Sequence, residues 1–114
     1  MTHYMKLKPF PFEMIKSGDK TIELRLFDEK RQKISPCDSI EFTNIQTGEV
    51  IKAEVITLYL FDSFKELYES LPLTKCGYTE ENVKTAHFSD MEAYYSKEEQ
   101  QKYGVVGIEL SLTV

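Results

Sequence analysis

Apolar and polar side chains alternate along much of the chain, and the most informative alternation lies in residues 18–27. Apolar residues at positions 22, 24 and 26 fall on one face of a strand, because successive side chains of a strand point to opposite faces. Thr21, Glu23 and Arg25 fall on the other face, and Lys20 follows a Gly-Asp turn. The pattern predicts a strand over residues 20–27 whose polar face is either solvated or one wall of a cleft.

The same alternation predicts four further strands. They cover residues 4–7, 39–45, 50–60 and 105–112, and turn-forming residues 46–49 join the middle two into a hairpin. The strand over 50–60 is long enough to bend, as barrel strands often do. We expect the final strand to pair with an early one, since a barrel removes its edges by closure.

Helical segments lie between these strands and dominate after residue 60. Residues 9–12 are expected to form an extended corner, because each proline disfavours helix at the residue before it. A short helix is expected to begin at Phe12, with Pro11 near its first turn and Gly18 just past its end. A later apolar stripe that includes Tyr68 has helical spacing and is expected to face the core. Another short helix is expected from residue 79, and serine-glutamate capping boxes predict helix starts at Ser63, Ser89 and Ser96.

These elements predict an α+β fold, namely a small mixed β-barrel of five to six strands with short helices covering it. A chain of 114 residues is long enough for one hydrophobic core and too short for two, so residues 1–114 are expected to form a single domain.

Charge limits the classes of partner. The net charge is −5, but the first 33 residues hold eight basic and five acidic side chains. A protein with this balance is not expected to coat DNA, although it can bind nucleic acid through one basic cleft.

The remaining composition points to an ordinary cytoplasmic protein. No apolar run of about 18 residues is present, so no membrane span is expected, and the first residues lack the apolar core of a signal peptide. Cys37 and Cys76 are expected to be reduced, and neither they nor His3 and His87 have metal-ligand spacing. We therefore expect no metal and no cofactor. The sequence does not determine the oligomeric state.

The order of residues in the first half resembles a known family. The pattern M-K-L-K-P-x-P-F-x-x-I-x-x-G-x-K-T-I-E-x-R, followed by D-E-K-R and C-D-S-I-E-F, is similar to the ASCH domain, a branch of the PUA-like superfamily of β-barrels. The similarity continues in M-E-A-Y-Y at residues 91–95 and Y-G-V-V-G-I at residues 103–108, so it covers nearly the whole chain.

The resemblance implies a cleft over the barrel, lined by the G-x-K-x-x-E-x-R motif, that engages RNA or a nucleotide-like ligand such as a modified nucleoside. Lys20 and Arg25 suit a phosphate or carbonyl oxygen, and Glu23 is a candidate acceptor for an exocyclic amine. Phe10, beside the two prolines, and Tyr95, one of two adjacent tyrosines, are candidates to contact the ligand ring.

One branch of the family consists of small amidohydrolases that deacetylate acetylcytidine, and this activity is an alternative. Their catalytic set is the motif lysine, a threonine three residues later and a glutamate beyond the central strands. Lys20 matches the lysine, Glu23 stands at the threonine position, and Thr21 offers a nearby hydroxyl. Glu66 and Glu69 are candidates for the remaining glutamate. The resemblance therefore implies Lys20, Thr21 and Glu23 as a catalytic set.

A protein-interaction domain without a small ligand is the second alternative. It predicts that Lys20, Glu23 and Arg25 are exposed, paired with one another and beside no concave pocket.

Overall fold

The computed structural model describes residues 1–113 and contains one five-stranded sheet. The strands are β1 (Thr2–Leu7), β2 (Ile22–Leu26), β3 (Ser39–Asn44), β4 (Val50–Phe61) and β5 (Val105–Leu112). The α-helices are α1 (Pro9–Ser17), α2 (Phe64–Ser70), α3 (Ser89–Glu92) and α4 (Lys97–Tyr103). The sheet order is β1-β3-β4-β5-β2, in which β1 and β3 are parallel and every other neighbouring pair is antiparallel.

The predicted α+β, PUA-like barrel class is confirmed, and the sheet curls into a half-barrel. The terminal strand β5 pairs with β4 and with the early strand β2, as expected. The predicted bend in β4 is present as a register shift between Val55 and Thr57. β1 and β2 are the two edges of the sheet, so the barrel has an open seam between them.

Two hydrophobic clusters pack on opposite faces of the sheet, and β5 contributes to both. Val106 and Ile108 belong to the first cluster, which α1 covers, whereas Val105 belongs to the second, which α2 covers. Glu23 pairs with Ile108 and Arg25 with Val106 across the β2–β5 ladder. Because residues directly opposite each other share a face, Glu23 and Arg25 lie on the inner face with the first cluster.

The predicted extended corner at the prolines is wrong. α1 begins at Pro9, and Pro9 and Pro11 both lie within its first turn. The first N–H groups of a helix have no partner within the helix, so proline loses nothing there. Lys8 adopts the extended conformation that precedes proline, and the helix ends at Gly18 with φ of 87°.

The predicted helix caps have mixed outcomes. Ser63 and Ser96 cap α2 and α4, and Ser96 forms a complete capping box with Glu99. The cap predicted at Ser89 is wrong, because its hydroxyl lies 2.8 Å from His87 Nδ1 and Ser89 is already the first residue of α3. The helix expected from residue 79 is a 3-10 turn at Asn82–Thr85. Within residues 1–113, every helix is too short or too polar to span a membrane.

Candidate functional site

The centre of the site is a network of ion pairs around one buried carboxylate. Glu23 Oε1 lies 2.7 Å from Lys20 Nζ. Glu23 Oε2 accepts from Arg25 Nε at 2.9 Å and lies 2.8 Å from Arg25 Nη2. The side chains of Lys20, Glu23 and Arg25 are 11%, 4% and 15% exposed. Each carboxylate oxygen of Glu23 therefore holds one cation, and all three charges are largely removed from solvent.

The network sets the charge of its members. Burial raises the pKa of the Glu23 carboxyl, but attraction to Lys20 and Arg25 outweighs burial, so the pKa lies below its ordinary value. Burial likewise lowers the pKa of Arg25, and the neighbouring Glu23 carboxylate more than reverses this effect. Glu23 is thus ionised at neutral pH in spite of its burial.

Arg25 also links the two edges of the sheet. Its Nη2 donates to the backbone carbonyl of Lys6 at 3.2 Å, which joins β2 to β1 across the open seam. An edge strand presents backbone groups without ladder partners, and a side-chain donor satisfies one of them here. The seam is therefore crossed by a guanidinium group.

Lys20 reaches Glu23 by passing a glycine of a distant loop. A Cβ on Gly77 would lie 3.3 Å from Lys20 Cδ and 3.8 Å from Lys20 Nζ. The backbone of Lys20 is held by its N–H, which donates to the Met14 carbonyl at 3.0 Å. The neighbouring Cys76 is a free thiol whose pKa burial raises to about 11, so it is protonated and inert at neutral pH.

A cavity of about 460 Å³ opens beside this network at the seam. Its walls come from the end of β1, from α1, β2, α2 and α3, and from the loops before β2, α3 and α4. All five residues expected to bind ligand line it, namely Lys20, Glu23, Arg25, Phe10 and Tyr95. A volume of several hundred Å³ is the usual size of a small-ligand site.

The other residues implied as catalytic lie elsewhere. Thr21 is not among the residues that line the cavity, and its backbone N–H donates to Lys75 O at 2.9 Å. Glu66 accepts from the backbone N–H of Asp62 at 3.3 Å, and Glu69 is exposed on α2. Neither glutamate lines the cavity. Within residues 1–113, the cavity therefore unites Lys20 and Glu23 but not a threonine or a second glutamate.

The sequence did not identify a hydrogen-bonded group of three other residues that line the cavity, namely Tyr68, Tyr78 and Asp90. The Tyr78 hydroxyl donates to Asp90 Oδ2 at 2.6 Å, and the Tyr68 and Tyr78 hydroxyl oxygens are 2.6 Å apart. Tyr68 was expected to face the core, and it does pack against the second cluster while its hydroxyl reaches the cavity wall. Tyr78 and Asp90 lie in irregular or short elements, where no periodic signal identifies them.

Exposed aromatic and basic side chains line the opening of the cavity, its mouth, and they are Phe10, Tyr94, Lys6 and Lys8. Phe10 and Tyr94 are 66% and 63% exposed, and Lys8 Nζ lies 5.6 Å from the centre of the Tyr94 ring. Lys6 and Lys8 are exposed at the end of β1. Burial and the nearby charges of Arg31, Arg25 and Lys6 lower the pKa of Lys30, which marks a concentration of positive charge at the seam.

Comparisons with known proteins agree with this architecture. The hypothetical protein PH0355 is 37% identical, with a TM-score of 0.80 over 99% of this chain and 100% of that one. PF0455 from Pyrococcus furiosus is 33% identical, with a TM-score of 0.75 over 98% and 97% of the two chains. ASCH from Zymomonas mobilis is 17% identical, with a TM-score of 0.64 over 96% of this chain and 66% of that one, so it shows the shared fold alone.

No curated protein matches the sequence. The family model described as ASCH domain matches residues 5–114, which is nearly the entire chain. The chain belongs to the ASCH domain family.

Proposed function

We propose that this protein binds RNA or a nucleotide-like ligand in the cavity at the seam of its half-barrel. The observation that carries the proposal is that Lys20, Glu23 and Arg25 contact one another, are largely removed from solvent and line this cavity. Burial of three charges costs free energy that apolar side chains would not cost at the same positions. Charges kept under these conditions at a cavity wall are typical of functional sites. The link of ASCH domains with RNA binding supports the same class of ligand.

The two cations are the groups that bind phosphate or carbonyl oxygens in this proposal. Glu23 uses one oxygen for each of them, so its role is to fix Lys20 and Arg25 in position. Arg25 Nη1 makes no hydrogen bond within residues 1–113 and remains available as a donor. The exposed ammonium groups of Lys6 and Lys8 add positive charge at the mouth, where an incoming phosphate passes.

The aromatic side chains at the mouth provide surfaces for a base. Phe10 and Tyr94 each leave more than half of their surface exposed while lining the cavity. An exposed aromatic ring gains by stacking on a base, and removal of one such ring costs about 1–3 kcal/mol of binding. An aromatic pair beside a cationic wall is the combination that single-stranded RNA binding uses.

The interaction-domain alternative is less well supported by this geometry. It predicts exposed charges beside no pocket, whereas Lys20, Glu23 and Arg25 are 11%, 4% and 15% exposed and line a cavity of about 460 Å³. The catalytic set implied for the amidohydrolase alternative includes Thr21, which is not part of the cavity wall. Ligand binding is therefore the function that the described residues support best.

Titration of the protein with short single-stranded RNAs and with nucleotides, followed by fluorescence anisotropy and calorimetry, tests the proposal. Phe10→Ala and Tyr94→Ala are each expected to weaken binding about tenfold, because each removes one stacking surface. Tyr4→Ala is the matched control, since Tyr4 is an exposed tyrosine at 60% and does not line the cavity. Affinity is expected to fall with salt along a shallow slope, because the cavity has room for few phosphates.

Absence of binding to every RNA and nucleotide would contradict the proposal. Equal loss of affinity in Tyr4→Ala and Tyr94→Ala would also contradict it, because the ligand would then not depend on the cavity. Phe10→Ala and Tyr94→Ala are expected to have melting temperatures close to that of the wild type, since the replaced rings are largely in solvent.

A further inference from the structure

Contacts among the lining residues give the cavity wall a defined order. Lys6 touches Arg25, Arg25 touches Glu23, and Glu23 touches Lys20. Lys20 passes against Gly77, which is followed in the chain by Tyr78, and Tyr78 bonds to Asp90. The wall therefore begins with cations at the seam and ends with a hydroxyl and a carboxylate.

The hydrogen bonds at the far end have a defined direction. Tyr78 has one hydroxyl proton, and it goes to Asp90 Oδ2. The Tyr78 oxygen then accepts from the Tyr68 hydroxyl, 2.6 Å away. Burial and the bond to Asp90 raise the pKa of Tyr78, so this proton stays on the tyrosine. The backbone N–H of His87 also donates to Oδ2, at 3.3 Å.

These bonds hold one oxygen of Asp90 and leave the other available. Asp90 is exposed and lines the cavity, and its Oδ1 has no hydrogen-bond partner within residues 1–113. Glu23, by contrast, has both oxygens occupied by Lys20 and Arg25. The sequence assigned recognition of an exocyclic amine to Glu23, but the acceptor that a ligand can reach is on Asp90.

We propose that Asp90 accepts a hydrogen bond from the exocyclic amino group of a nucleobase, so that the cavity prefers bases that carry an amine over bases that carry a carbonyl at the same place. The inference rests on the proposed function and adds the class of base to it. A carboxylate accepts from an amine and repels a carbonyl oxygen, which is how carboxylates recognise the amino group of cytosine. The phosphate of the same nucleotide then lies towards Arg25 and Lys6, at the cationic end of the wall.

Two pairs of mononucleotides test this preference by calorimetry. Cytidine monophosphate carries an exocyclic amine where uridine monophosphate carries a carbonyl. Adenosine and inosine monophosphates differ in the same way. We expect the amino member of each pair to bind about tenfold more tightly, a ratio typical of one good base contact. Asp90→Asn is expected to reduce the ratio to about one, because an amide offers a donor and an acceptor at the same place.

Glu92→Gln is the matched control, since it removes the same charge two residues away and Glu92 does not line the cavity. It is expected to leave the ratio unchanged. Equal binding of the members of both pairs, or a ratio that survives Asp90→Asn, would overturn the inference and leave the proposed function intact. Failure of all four nucleotides and of RNA to bind would overturn the proposed function as well. Thermal melting of Asp90→Asn, a change at an exposed residue, verifies that the variant is folded.

Discussion

Removal of the Glu23 carboxylate is expected to destabilise the protein strongly, and this prediction follows from burial. Glu23 is 4% exposed and neutralises two cations that are themselves 11% and 15% exposed. In Glu23→Ala, Lys20 and Arg25 remain in a region with little solvent and face each other without a counter-charge. Loss of one partner of a buried pair costs about 3–5 kcal/mol. This cost is a large fraction of the 5–15 kcal/mol that stabilises a typical domain.

A second ion pair in the same chain provides the control. Lys16 Nζ lies 2.6 Å from Glu49 Oε2, slightly closer than Lys20 Nζ lies to Glu23, but the two side chains are 47% and 40% exposed. If distance governed the free energy, Glu49→Ala would cost at least as much as Glu23→Ala. Because solvent screens exposed pairs, we expect Glu49→Ala to lose only a small fraction of the stability that Glu23→Ala loses.

Urea denaturation of the wild type, Glu23→Ala and Glu49→Ala measures the two losses. Lys20→Met in the Glu23→Ala background removes one of the two orphaned cations, so it is expected to restore part of the lost stability. The pKa of Glu23 is lowered in the folded state, so the stability that its ionised carboxylate contributes is complete above the pKa of an unfolded glutamate, about 4.3. This stability is lost as the pH falls through the lowered pKa of the folded state. Equal losses in the two alanine variants, or no recovery in the double variant, would refute the reasoning.

Three further predictions concern separate parts of the molecule. Gly77→Ala and Gly48→Ala both place alanine at positive φ, so we expect urea denaturation to show that each variant loses roughly 1–3 kcal/mol of the free energy of unfolding. Only Gly77→Ala adds a Cβ near Lys20, so we expect the affinity for cytidine monophosphate to fall in that variant alone. Hydrogen bonds from His3 and the Ser35 N–H lower the pKa of Asp38 to about 2. The melting temperature is therefore expected to fall more steeply in the wild type than in Asp38→Asn when the pH is lowered from about 4 to about 2. Acetylcytidine is expected to bind without turnover by mass spectrometry, because the threonine after Lys20 lies outside the cavity wall; release of acetate would contradict this.

Features that depend on neighbouring residues could be predicted from the sequence. The strand at Val105–Leu112 has the predicted bounds, and the capping box at Ser96 and Glu99 is present. Both patterns are complete within a few residues, so tertiary contacts have little to change. The predicted strand over residues 20–27 is shorter in the structure, at Ile22–Leu26, because the N–H of Lys20 bonds to Met14 of α1 and that of Thr21 bonds to Lys75.

The sequence could not decide whether the polar face of β2 was solvated. Alternation shows that Glu23 and Arg25 share a face, but the pairing of β2 with β5 determines what that face meets. Glu23 lies opposite Ile108, a fully buried residue of the first cluster, and therefore points inward. The two residues are 85 positions apart, and no local pattern contains that information. Gly77 was missed for the same reason, since only the folded chain brings it to Lys20, and Asp90 was missed because only the folded chain brings it to the same cavity.

The open seam of the half-barrel gives Arg25 two roles at once. A sheet that ends in two neighbouring edges must either pair them or cover them, because exposed edges attract other strands. Full closure by a β1–β2 ladder would place backbone where the cavity now opens. Arg25 instead crosses the seam with a side chain, which leaves room for a ligand and supplies a donor to it. The charge of that donor requires a buried counter-ion, and Glu23 meets the requirement because its position on β2 turns it to the same face. The cost of a buried charge network is thus a consequence of keeping the barrel open at the site.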